Sequence, residues 1–205
     1  MKQNNVESTI AHQKAVAASV LERIKTLDEN AILAGGAPGD WRRGIPARDL
    51  DFYIQGERLG FAEQKLEQLG FEVESAFDKS SRNKRVKTTR AYTWNPDIDG
   101  VKNSTIEGVE CQFIFVTVPV VDLIPKFAMN TSQIWWDGKY SWVTHDYRMF
   151  MKYGAVYPTG EVYSREEEFM QKTRIKFKDY KLFTSKEEFA VYTIDLDNHG
   201  ALKIW

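Results

Sequence analysis

At 205 residues with a net charge of −1, 42% hydrophobic and 28% charged, the chain has the composition of a globular protein able to bury a substantial core, and not that of a disordered one. A near-neutral balance gives no global attraction to polyanions, so any nucleic-acid surface has to be local. The single cysteine, Cys111, excludes an intrachain disulfide framework and any CxxC metal site, and points to a reducing, cytoplasmic setting.

In chain order, residues 5–27 predict an amphipathic helix whose stripe is Ile10, Val16, Val20, Leu21, Ile24 and Leu27, with His12 as a surface histidine. The stretch 31–54, AILAGGAPGDWRRGIPARDLDFYI, then reads as a strand, a glycine turn, a short helix and a second strand. Side chains at i and i+2 of a strand leave the same face. Asp49 and Asp51 therefore project together, while Leu50 and Phe52 point into a core. Two adjacent carboxylates repel one another unless a cation lies between them, and hard oxygen ligands favour Mg²⁺ or Mn²⁺. Gly35 and Gly36, lacking Cβ atoms, allow a sharp turn and close approach of a phosphate to main-chain N–H groups.

This stretch resembles the head domain of the DNA polymerase β superfamily of nucleotidyltransferases, and most closely the tRNA CCA-adding and poly(A) polymerase branch. Gly35 and Gly36 match the glycine pair of its motif. Asp40 matches the Asp of Arg-Asp, Gly44 and Pro46 the Gly-x-Pro, Arg48 the basic residue, and Asp49 and Asp51 the Asp-x-Asp. The family's Arg falls on Gly39. The resemblance implies an NTP substrate whose phosphates contact Gly35, Gly36, Arg42, Arg43 and Arg48, with Mg²⁺ or Mn²⁺ held by Asp49 and Asp51. It also implies a third carboxylate from a neighbouring strand.

Further along, a second helix at 58–69 closes at Gly70, and 71–76 alternates like a strand. Residues 79–90 hold Lys79, Arg82, Lys84, Arg85, Lys87 and Arg90 with no acid. They read either as an RNA, protein or triphosphate contact, with Tyr92 and Trp94 available for stacking, or as a solvated edge that discourages aggregation. Residues 109–118, VECQFIFVTV, form the most convincing strand. Its alternation places Glu110, Gln112 and Ile114 on one face and Val109, Cys111, Phe113 and Phe115 on the other. Glu110 is the candidate third carboxylate if this strand lies beside that of Asp49 and Asp51, and Cys111 reads as core.

Residues 127–143 predict an aromatic hairpin turning at Asp137-Gly138, with its aromatics as core more than as a stacking wall. The segment also resembles small bacteriophage nucleotidyltransferase-like proteins, which carry an acid where this chain has Ala128. Helices are expected at 145–153, at 164–183 with a Ser164/Glu167 capping box, and after Ser185/Glu188.

The reading is α/β (α+β): a nucleotidyltransferase-like mixed sheet flanked by helices over 1–144, with a C-terminal helical extension over 145–205. The expected activity is metal-dependent transfer of an NMP from an NTP to a hydroxyl on RNA or protein. The catalytic and metal residues would be Asp49, Asp51 and Glu110, in the cytoplasm of a bacterium or a phage-infected host. The alternative is an inactive protein of the same fold that binds a nucleotide, nucleic acid or protein.

Overall fold

The computed structural model describes residues 2–56, 59–78, 96–159 and 166–198. The basic run 79–90, Tyr92, Trp94 and Ser164 lie outside the described residues. The chain divides into two compact units, Met1–Ile124 with Ile134–Trp142, and Pro125–Gln133 with Val143–Trp205.

The first unit begins with α1 (Lys2–Ile24), β1 (Ile32–Ala34), α2 (Gly36–Arg42) and β2 (Leu50–Gln55). It continues through α3 (Leu59–Gln68), β3 (Glu74–Asp78), β4 (Ile98–Ile106), β5 (Val109–Val116) and the single turn α4 (Val120–Leu123), and includes β6 (Ile134–Trp136) and all but the last residue of β7 (Ser141–Val143). The strands form one seven-stranded sheet in the order β3-β4-β5-β2-β1-β6-β7. The β2–β5 pair is parallel and β1–β2, β1–β6, β3–β4 and β4–β5 are antiparallel, so the sheet is mixed as the sequence predicts.

Period-two alternation decides which face is core. Leu50, Phe52 and Ile54 of β2 and Cys111, Phe113 and Phe115 of β5 are buried with Val16, Ala17, Val20, Leu21 and Ile24 of α1, and with Leu66 of α3. Phe52 and Phe113 stack with centroids 5.7 Å apart, and burying such side chains stabilises by about 1.5–3 kcal/mol each. Local chemistry sets the boundaries. Gly70, at φ +77°, ends α3 and donates its N–H to the Glu67 carbonyl, while Phe71 N–H reaches Leu66. The β4–β5 turn places Glu107 and Gly108 at φ +50° and +79°, and His12 of α1 lies 3.0 Å from the Glu107 carbonyl. At the Asp137-Gly138 turn, the Asp137 carboxylate accepts from Lys139 N, Tyr140 N and Trp142 Nε1.

The hairpin is shorter than the sequence predicts. Residues 127–133 contribute a 3₁₀ turn (Asn130–Ser132) instead of strand and belong to the second unit. Buried Asn130 and Gln133 explain this, because their side chains bond non-neighbouring backbone that a strand ladder would leave out of reach. Asn130 bridges Ala155 O and Tyr157 N, and Gln133 donates to Pro125 O and Thr159 Oγ1. The aromatic side chains split: Trp136 packs on the core, edge to face with Trp41, but Tyr140 and Trp142 are exposed.

In the second unit, α5 (His145–Tyr153) is capped by Thr144, whose Oγ1 accepts from Tyr147 N, and ends at left-handed Gly154. A parallel pair, β8 (Ala155–Val156) and β9 (Lys181–Leu182), lies between α5, α6 (Glu166–Lys176) and α7 (Lys186–Asn198) in the chain. Pairing of β9 with β8 stops α6 at Lys176, short of the 183 the sequence predicts. Ser185 caps α7 by accepting from Glu188 N, and the Glu188 carboxylate reaches Thr184 N, one residue beyond the expected box partner.

Candidate active site

The start of β2 brings Asp49 and Asp51 to the sheet face opposite the α1 core. Leu50 pairs with Cys111 and Asp51 with Gln112 across the parallel β2–β5 register, so Asp49 falls at the level of Glu110. On the same face, Asn103 of β4 lies opposite Gln112, which donates to it, and Thr105 lies opposite Glu110. These residues line a groove of about 450 Å³ with Glu72 and Glu74. Four carboxylates (Asp49, Glu72, Glu74 and Glu110) and no lysine or arginine line it among the described residues, a field that attracts cations.

Asp51, two residues from the groove-lining Asp49, is the unsatisfied group beside it. Its Oδ1 is buried and has no hydrogen-bond partner. Burial, reinforced by the charge of Asp49 and only partly offset by Arg48, pushes its carboxyl up from the usual 3.8 to about 7. Asp49 is engaged from outside: Arg48 Nε and Nη2 reach Asp49 Oδ2 at 3.0 and 2.6 Å. The Arg48 side chain is 86% exposed, so this pair is worth little and its arginine is displaced at small cost.

The two acids fit a hard divalent cation. Mg²⁺ is commonly held by one or two carboxylates together with waters and substrate phosphates, and an orphaned buried carboxylate oxygen is the feature such an ion relieves. Glu110 is exposed in the groove and does not join them. Among the described residues, no three His, Cys, Asp or Glu side chains converge into a metal-ligating group.

The candidate phosphate contacts also separate. Gly35, at φ +88°, makes the bend that only glycine adopts without strain, but its N–H donates to the Ile134 carbonyl at 3.0 Å and is committed to the sheet. Gly36 opens α2, which has no side-chain cap, and a Cβ built there meets nothing within 4 Å. The open side of the bend is therefore at Gly36. Arg42 is exposed, whereas Arg43 pairs with the buried Asp40 and donates to the Gly39 carbonyl, which gives it a structural task. Cys111, its thiol pushed up to about 12 by burial and then by the Asp51 charge, is a core residue with no nucleophilic character.

One residue of the site has no motif to announce it. Gln13, buried in α1, donates from Nε2 to Ala47 O at 2.7 Å, and its Oε1 accepts from Ala47 N and Trp41 Nε1 at 2.9 and 3.0 Å. The only signal in the sequence is a polar side chain interrupting the stripe of Ile10, Val16 and Val20.

A parallel Asp-x-Asp strand, a glycine bend and a short helix on a mixed sheet define the nucleotidyltransferase fold. Among solved structures, the chain is similar to a tRNA-processing enzyme in an apo form, at 14% identity and TM-score 0.56, covering 89% of this chain and 46% of that one. It is similar also to the Thermotoga maritima CCA-adding enzyme complexed with tRNA (13%, TM-score 0.55, 83% and 39%) and to a CCA-adding enzyme complexed with ATP (13%, TM-score 0.54, 82% and 38%). The chain spans less than half the length of these relatives, and the likeness is one of fold. No family model and no curated protein matches it.

Proposed function

We propose that the protein is a metal-dependent nucleotidyltransferase that moves an NMP from an NTP to a hydroxyl acceptor and releases pyrophosphate. The observation carrying this reading is the partnerless, buried Oδ1 of Asp51 beside Asp49 on one strand face, next to a groove of about 450 Å³. Solved structures of the same fold hold ATP, CTP and tRNA, which supports a nucleotide and an RNA as the ligands to test.

In this reading Asp49 and Asp51 hold Mg²⁺ or Mn²⁺, which when bound neutralises phosphate charge and makes an acceptor hydroxyl more acidic. The N–H groups of α2's first turn at Gly36 face the triphosphate. Arg42, and Arg48 once it leaves Asp49, offer charge to the departing pyrophosphate. In this reading Glu110, which lines the groove, takes the proton of the acceptor hydroxyl. The acceptor approaches along the β4–β5 side, and the 79–90 run, outside the described residues, is the proposed contact for an RNA or protein acceptor.

A specific observation favours a second reading, an inactive nucleotide- or RNA-binding protein of the same fold: among the described residues no three His, Cys, Asp or Glu side chains group so as to hold a metal. One experiment separates them. The protein is incubated with each α-labelled NTP and Mg²⁺, with and without total RNA and total protein. Label in an acceptor that is lost in Asp51→Asn upholds transfer. Nucleotide binding with no label in any acceptor supports the binder, and label retained in Asp51→Asn removes the assignment.

A further inference from the structure

We propose that Gln13 is a positioning residue for the Asp49–Asp51 pair: its amide fixes the connection between α2 and β2, and with it the place where Asp49 sits. The inference rests on the metal reading above for its consequence, and on hydrogen-bond accounting for its geometry.

The connection 43–49 has no strand or helix ladder of its own, so each buried backbone group needs another partner. Its first half is tied to α2, since Arg43 N and Ile45 N donate to Asp40 O and Gly44 N donates to Trp41 O. Pro46 follows and has no N–H to give. Ala47 is buried, 7% exposed, and its two backbone groups are both met by Gln13, the N–H donating to Oε1 and the carbonyl accepting from Nε2. The same Oε1 accepts from the Trp41 indole, so one side chain joins α1, the end of α2 and the connection. Gln13 is itself buried, 6% exposed, which removes water as a competitor for these bonds.

Two residues beyond Ala47 comes Asp49, and the β2–β5 register begins only at Leu50. Asp49 is therefore held from one side by the sheet and from the other by Gln13. Without the amide, Ala47 has two unmet buried groups, and the connection opens to hydrate them. Asp51, inside β2, keeps its place. The separation of the two carboxylates is what changes, and a cation that needs both loses affinity.

The test compares wild type with Gln13→Leu and with Ile24→Ala, a core truncation three turns further along α1 that serves as a destabilised control. Thermal unfolding, residue-resolved amide exchange and Mn²⁺ binding by water-proton relaxation are measured on each. In Gln13→Leu, exchange at Ala47 should accelerate about a hundredfold or more, beyond any change in α1 or β5, and Mn²⁺ affinity should fall about tenfold or more. Ile24→Ala should lose melting temperature with Mn²⁺ affinity kept. Unchanged Ala47 exchange in Gln13→Leu, or an equal loss of Mn²⁺ affinity in Ile24→Ala, overturns the proposal. If wild type binds no Mn²⁺, the metal reading fails, and exchange alone decides on Gln13: loss confined to 43–49 upholds the tie and uniform loss overturns it. Should Gln13→Leu not fold, Gln13→Glu, which keeps the acceptor and removes the donor to Ala47 O, carries the same comparison.

Discussion

Replacing Asp51 with Asn should make the metal-free protein more stable at neutral and alkaline pH, although it removes the proposed chemistry. The wild-type carboxyl rises from 3.8 to about 7 on folding, through burial and then the charge of Asp49. A group that binds its proton more tightly in the folded state costs nothing below its unfolded value. Its penalty develops as pH rises from about 4 and is complete above about 7. At about 1.4 kcal/mol for each tenfold change in proton affinity, the full penalty is roughly 4 kcal/mol. Solvent reaching the half-buried side chain brings this to about 2–4 kcal/mol, and the two acids titrate as a pair. Asn keeps the shape, carries no charge and loses less hydration free energy on burial. At about 2–4 °C per kcal/mol, Asp51→Asn should melt roughly 5–12 °C above wild type at pH 8 in EDTA, with the gap closing toward pH 4. Differential scanning calorimetry across that range, repeated with Mn²⁺, is the assay. Added cation should raise the wild type and leave the variant unmoved. A variant less stable than wild type at pH 8, or a gap that does not depend on pH, would refute the reasoning.

Three further outcomes follow from the geometry. Gly36→Ala places a methyl where nothing lies within 4 Å, so it should stabilise by a few tenths to about 1 kcal/mol through helix propensity while weakening NTP binding measured by calorimetric titration. Arg43→Ala removes the ion-pair partner of the buried Asp40 carboxylate and should cost about 1–3 kcal/mol in urea unfolding, whereas Arg42→Ala, on an exposed side chain, should cost under about 0.5. Glu107→Gly relieves a left-handed φ of +50° and should raise stability by about 0.5–1 kcal/mol, read as a shift of the urea midpoint at unchanged slope.

The alternations at the starts of β2 and β5 were legible because Leu50, Phe52, Cys111 and Phe113 are buried while Asp51, Glu110 and Gln112 are not; further along, Tyr53 and Ile114 are buried on the other face as well. The caps at Gly70 and Ser185 and the Asp137-Gly138 turn were legible because they are local chemistry. Segment 127–133 was not, because its Asn130 side chain and its backbone at Ala128 and Asn130 bond residues 155–159, which are distant in sequence. The same reason hid Gln13, whose partners lie 28 and 34 residues away. The motif located Asp49 and Asp51, but it could not tell that Gly35 spends its N–H on β6, that Arg43 serves Asp40, or that Glu110 stays apart. Each of those outcomes depends on which groups the tertiary fold brings within hydrogen-bond reach.

In the proposed function, two carboxylates on one strand face form a divalent-cation site. Titrating Mn²⁺ into wild type, Asp49→Asn and Asp51→Asn at pH 8, with a non-hydrolysable NTP analogue present, tests it most directly. Saturable binding in wild type that either substitution lowers at least about tenfold is the predicted result. Binding that survives both substitutions unchanged, or no binding in wild type, would contradict it.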